Sequence, residues 1–197
     1  MNTKIGFNLD RGLNRSFTPT VTDLLQIVGK QKAEIVNGKV VLMSPTGIVP
    51  GRAGGRIYRS LAEYEDDFGG GYAVPDNVGF GVNLPNRKSF SPDAAFYTGE
   101  LPDDGAFADG APAFAAEVRS ENDYGEAKDE AILQKIADYF AAGTEVVWDV
   151  DVLREGVVRR YRNGEDLEKP TVFHRGETAD AEPAVPGWRL AVDKLIP

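Results

Sequence analysis

Asp93 follows Ser91-Pro92 just ahead of an apolar stretch, and Glu117 stands inside the apolar run AFAAEV, so the chain plants two carboxylates in settings poor in water. Such a pair is costly unless a cation neutralises it. Oxygen-only ligands of this kind suit Mg²⁺ or Mn²⁺ rather than zinc. A hard cation held there lowers the pKa of a bound water and offsets charge building on a phosphate oxygen. Side chains alternate along a strand, which puts Arg119 on the face of Glu117 and Val118 on the other. Arginine stabilises an anionic transition state but does not readily give up a proton. A lysine is available further on. On a helix, Lys128 and Lys135 project within about 20° of each other, at the margin of an apolar arc through Leu133, Ile136 and Phe140. Lys135 can reach toward the strand its helix packs against and orient or polarise the attacking water while Asp93 and Glu117 hold the metal.

The elements that must position these groups are readable from pattern. AFAAEVRS reads as a central buried strand with one planted charge, FSPDAAFYTG as a further strand whose Asp93 converges with Glu117 if the two are neighbours, and residues 124 to 142 as a helix stopped by Gly143. That helix is expected to be the longest in the chain. AEIV and KVVLM around Asn37-Gly38 predict a hairpin. Thr22 is the expected cap of a short helix ending near Gly29, SPTGIVPGRAGG a loop, and RIYRSLAEYEDDF an amphipathic helix. YAVP, VGFGVNL, EVVWDVD, EGVVRRYRNG and PTVFHRG read as strands, ELPDDGAFADGAP as a connecting loop, and PGWRLAVDKLI closes the chain. The fold class is therefore α+β or mixed α/β around one sheet.

Composition bounds the alternatives. At 197 residues one domain is expected, over residues 20–197 after an irregular arm over 1–19. No cysteine is present, which excludes disulfides and thiolate sites, and the single histidine, His174, excludes a zinc site of several imidazoles. A net charge of −9 argues against a broad basic surface. The sequence shows neither a run of about 20 apolar residues nor the apolar core of a signal peptide, so a soluble, cytoplasmic protein is expected.

FSPDAAF, then FAAEVRSENDYGEAKDEAILQKIADYFAAGTEVVWDVD, preceded by AEIVNGKVVLMSPTG and followed by PGWRLAVDKL, resembles the Uma-two family of putative restriction endonucleases, a branch of the PD-(D/E)xK nuclease superfamily. The similarity runs from about Thr20 onward, and the order of motifs carries it. It implies a restriction-endonuclease-like mixed sheet flanked by helices and a Mg²⁺-dependent cut of a phosphodiester. On that pattern Asp93 and Glu117 match the two acids, Lys135 the helical lysine before Tyr139 and Gly143, and Glu34 a recurrent glutamate of the first hairpin. The chain departs from the pattern twice. Gly54 stands nearest the position where members often carry a histidine, and Arg119 stands where the superfamily's simplest pattern has lysine, so Lys135 must take over that role. The expected partners are nucleic acid, DNA first, and a second copy of the chain in a homodimer.

Each feature also has a plainer reading. Asp93 could simply cap a turn, Glu117 pair with Arg119, and Lys135 lie along its helix with its head in water. Glu34 reads as an exposed strand residue, second in rank with Arg119 as a site candidate. His174 reads as structural, and PGRAGG lacks the Gly-Lys-Ser/Thr ending of a phosphate loop. Arg52, Arg56 and Arg59 form one local basic patch and Arg159, Arg160 and Arg162 another, each able to meet phosphates or to be a solvated face. The acidity of the chain favours a rival to the enzyme: a nuclease fold kept as an inactive module for binding or homo-oligomeric assembly.

Overall fold

The structure, a computed structural model, describes residues 19–26 and 32–197. The expected irregular arm therefore lies outside the described residues except for Pro19, and so does the helix end expected near Gly29. The first helix, α1 (Val21–Leu25), is headed by Thr20 rather than Thr22: the Thr20 N–H and hydroxyl donate to Asp23 Oδ2 at 2.7 and 2.6 Å. Strands β1 (Ala33–Val36) and β2 (Lys39–Leu42) form the expected hairpin. Asn37 and Gly38 take φ of 51° and 69°, the left-handed values a two-residue turn of this kind requires.

Helix α2 (Ile48–Phe68) corrects two expectations. It begins inside the stretch read as a loop, and its 21 residues make it longer than α3 (Glu126–Ala141), which has 16. Pro50 falls in its first turn, where a missing N–H forfeits no helical bond. A buried stripe of Pro50, Ala53, Gly54, Ile57 and Leu61 then runs through the glycines. Helical glycine is unfavourable by about 1 kcal/mol. Close approach offsets this at Gly54, where a Cβ would lie 3.4 Å from the Cβ and carbonyl oxygen of Asp93.

The remaining strands are β3 (Tyr72–Pro75), β4 (Phe80–Gly81), β5 (Ser89–Phe90), β6 (Ala94–Tyr97), β7 (Ala108–Asp109) and β8 (Phe114–Val118). After α3 come β9 (Val146–Asp151), β10 (Val157–Arg162), β11 (Thr171–Phe173), β12 (Thr178–Asp180) and β13 (Arg189–Ala191). One six-stranded sheet, ordered β11-β10-β9-β8-β6-β3, dominates. Within it β8 and β9 are parallel, bridged by α3, and every other pair is antiparallel. The stretch read as a plain connecting loop contributes β7, which pairs with β4.

Strand alternation divides the core between two faces. Phe96, Phe114, Ala116 and Trp148 meet Ala53, Ile57 and Leu61 of α2, and Trp188 joins them from the C-terminal part. Ala95, Ala115 and Val147 meet Ile136 and Tyr139 of α3 on the opposite face. Two glycines give a test of opposite signs. A Cβ at Gly71 would sit 2.6 Å from both Phe96 Cε1 and the Tyr97 carbonyl oxygen, whereas at Gly55 it would meet nothing within 4 Å. Gly71→Ala is expected to lose about 1–3 kcal/mol in urea unfolding. Gly55→Ala, inside a helix, is expected to gain about 0.5–1 kcal/mol.

Candidate active site

Asp93 is pinned from both of its ends. Its N–H donates to the Ala116 carbonyl at 3.0 Å, extending the β6–β8 ladder, and its Oδ2 accepts the Val118 N–H at 2.7 Å. The carboxylate that follows Pro92 therefore lies against β8 at the position of Glu117. Its other oxygen accepts from Lys32 Nζ at 2.7 Å, and the same ammonium donates to Asp76 Oδ1 at 2.7 Å.

Glu117 points to the α3 side of β8. There Lys135 Nζ lies 2.8 Å from its carboxylate and the Tyr139 hydroxyl donates to Oε1 at 2.6 Å. Residues four apart share a helix face, which is why Lys135 and Tyr139 reach one acid together. Lys135 Nζ is also 3.0 Å from Glu34 Oε1.

Glu34 is not the exposed strand residue expected; it is 4% exposed. Arg87 Nη1 donates to its Oε2 at 2.5 Å and the Ser91 N–H to its Oε1 at 3.0 Å. Arg87 Nε in turn reaches Asp138 Oδ2 at 2.9 Å, and Asn86 and Gln134 donate to Asp138 Oδ1 at 2.9 and 3.0 Å. Opposite charges thus alternate in one chain of contacts: Asp138, Arg87, Glu34, Lys135, Glu117.

Burial pushes the Glu117 carboxyl above its ordinary range, and nearby Asp93 and Glu34 add to the rise against the pull of Lys135. Burial acts the same way on Glu34, but Lys135 and Arg87 outweigh it and hold this carboxyl below its usual value. Burial disfavours the Lys135 ammonium, yet Glu117 and Glu34 overcome this and raise its pKa. Burial also keeps the Tyr139 phenol protonated, so it remains a donor. Lys135 is therefore a persistent cation and hydrogen-bond donor, able to orient a water but not to act as a base near neutrality.

Arg119 is placed elsewhere. Its guanidinium grips Asp149 through two bonds of 2.8 and 2.7 Å and reaches Asp129 at 2.6 Å. The parallel register that sets Glu117 beside Asp149 supplies this partner and commits the charge away from the carboxylates. The patch of Arg159, Arg160 and Arg162 is committed as well. Arg160 bonds both oxygens of Asp180 at 2.5 Å, Arg159 pairs with Glu155 at 2.6 Å, and Arg162 donates to the Glu182 carbonyl at 2.8 Å. Arg59 pairs with Glu63 at 2.9 Å, the solvated helix face foreseen as the plainer reading.

Sequence reasoning missed Lys32, Asp76, Arg87 and Asp138. Lys32 was accessible in principle, since it stands two residues before Glu34 and shares its side of an extended chain. Arg87 carried no such signal in its polar segment.

A cleft of about 190 Å³ opens beside Asp93 and is bordered by Asp76, Gly54, Gly55, Tyr58 and Val118. Its donor chemistry fits a hard divalent cation of the Mg²⁺ type, which binds through one or two carboxylates and keeps several waters. Among the described residues no cluster of three or more His, Cys, Asp or Glu side chains is arranged as a metal cage. Of the expected acids, Asp93 borders this cleft, whereas Glu117 faces α3 and is not among the cleft's lining residues.

The six-stranded mixed sheet with its parallel β8–β9 crossover, covered by α2 and α3, defines a protein of the restriction-endonuclease-like fold class. The sequence profile of the Uma2 family, described as "Putative restriction endonuclease", matches residues 21–193, and the chain belongs to that family. A solved structure of a protein from Anabaena variabilis, described as a "putative nuclease belonging to DUF820", superposes with a TM-score of 0.69. It shares 17% identity, and the match covers 90% of this chain and 97% of that one. A search of the curated proteins returns no match. No helix among the described residues is long and apolar enough to cross a membrane.

Proposed function

We propose that this chain is a metal-dependent endonuclease that hydrolyses phosphodiester bonds in DNA, with Asp93 and Glu117 holding Mg²⁺ or Mn²⁺ and Lys135 positioning the attacking water. The carrying observation is the Lys135 ammonium 2.8 Å from Glu117, in a network that also contains Glu34. The bound ion supplies a lowered pKa for water and a counter-charge for the phosphate. The Val118 N–H holds the Asp93 carboxylate toward the cleft, and Tyr139 fixes Glu117 from the helix side. Glu34 and Glu117 each take one N–H of the Lys135 ammonium, which leaves its third N–H to be directed at the attacking water. The expected homodimer would carry two such clefts and is read from the mass in light scattering.

The rival reading, an inactive nuclease-fold module, draws on the internal pairing of Arg119, Arg159 and Arg160, which leaves those charges spoken for. Supercoiled plasmid incubated with the protein and Mg²⁺ or Mn²⁺ separates the two. Cleavage lost in Asp93→Ala, Glu117→Ala and Lys135→Ala is the expected result. Cleavage that survives all three would overturn the site, and no cleavage with either metal would favour the inactive module.

A further inference from the structure

Lys32 Nζ lies 2.7 Å from Asp93 Oδ1 and 2.7 Å from Asp76 Oδ1. Asp93 Oδ2 accepts the Val118 N–H and Oδ1 accepts the Lys32 ammonium, so each oxygen already carries one donor and the ammonium sits on the one that β8 does not hold. A Mg²⁺-sized ion binds carboxylate oxygen at about 2.0–2.1 Å. A lysine head in contact with that same oxygen would face the ion at close range, and two cations there repel strongly. The side chains differ in access: Lys32 is 16% exposed and Asp93 22%, while Asp76 is 51% exposed at the border of the cleft. Asp76 thus offers the ammonium a second berth nearer to water.

Resting on the metal reading above, we propose that Lys32 is an internal counter-cation that competes with the divalent metal for Asp93, and that Asp76 receives its ammonium when the metal binds. The arrangement keeps the metal-free site neutralised and raises the metal concentration at which it loads. Lys32 and Asp76 are positioning residues in this scheme, with opposite effects on loading.

The test is Mn²⁺ binding to the metal-free full chain, followed by isothermal titration calorimetry and by the electron paramagnetic resonance signal of free Mn²⁺. Lys32→Met is expected to bind Mn²⁺ about tenfold or more tightly than the unaltered chain, with Lys32→Gln in reserve if the methionine variant folds poorly. Asp76→Asn is expected to weaken binding several-fold on its own, roughly, but to change it less than about twofold in the Lys32→Met background, since coupled residues are non-additive. Unchanged or weaker Mn²⁺ affinity in both Lys32 variants overturns the competition. Equal weakening by Asp76→Asn in both backgrounds overturns the berth, because Asp76 would then act through its own charge. The metal reading fails separately, and the inference with it, if Lys32→Met shows no saturable Mn²⁺ binding that Asp93→Asn removes.

Discussion

Replacing Arg87 by methionine is expected to lower the free energy of unfolding by about 3–5 kcal/mol, the range for stripping one partner from a buried ion cluster. Arg87 is 6% exposed and carries both Glu34 and Asp138, which are each 4% exposed. Its loss leaves two interior carboxylates short of a cation, with Lys135 still serving Glu34 and amides still serving Asp138. Urea unfolding at pH 7 measures the deficit, and a loss below about 1 kcal/mol would contradict the account. Adding Asp138→Asn to Arg87→Met should recover part of it, because a neutral amide is far less costly to bury than an unpaired charge. The pH dependence has a fixed sign. Burial favours the neutral form of both acids, but their partners prevail and hold Glu34 and Asp138 below their ordinary values of 4.5 and 3.8. Their contribution is therefore present above those values and is lost as pH falls through the depressed ones. The gap between Arg87→Met and the unaltered protein should narrow on acidification, as the stranded carboxylates take up protons first and the paired ones only below their ordinary values.

The second large effect concerns cleavage. Lys135→Met is expected to reduce the rate of plasmid cutting by about 10²–10⁴-fold, the range for losing a positioned donor at a developing charge. Lys135→Arg should not restore full activity, since a planar fork cannot replace a compact ammonium 2.8 Å from Glu117 and 3.0 Å from Glu34. Lys135 has its pKa raised above 10.5, so its charge is constant across the working range and it contributes no inflection below that value. Glu117 must be ionised to hold a metal, and burial lifts it above its usual 4.5. Mn²⁺ binding to the metal-free chain should accordingly weaken on acidification, and an affinity that does not fall with pH would contradict the placement of Glu117 as a ligand.

Two corrections show where pattern reading stopped. The glycines and proline of PGRAGG carry the marks of a loop, yet the stretch is helical because Ala53 and Gly54 bury against the sheet. That contact is invisible to local propensity. Glu34 read as exposed because its neighbours on the hairpin alternate ordinarily; it is buried because Arg87, 53 residues away, turns back to meet it. Arg119 sits on the face of Glu117 as strand alternation requires, but Asp149, 30 residues on, captures it.

Local pattern determined a good deal by itself: the Asn37-Gly38 turn, the buried β8 with its single acid, and the helix stopped at Gly143. Those features follow from periods of 2 and 3.6 and from backbone preferences, which act between near neighbours. Tertiary structure alone decided which charges touch. Lys32 meets Asp93 across 61 positions and Arg87 meets Asp138 across 51. The energy of an ion pair depends on distance and on exclusion of water, and neither exists until the sheet and its two covering helices have closed.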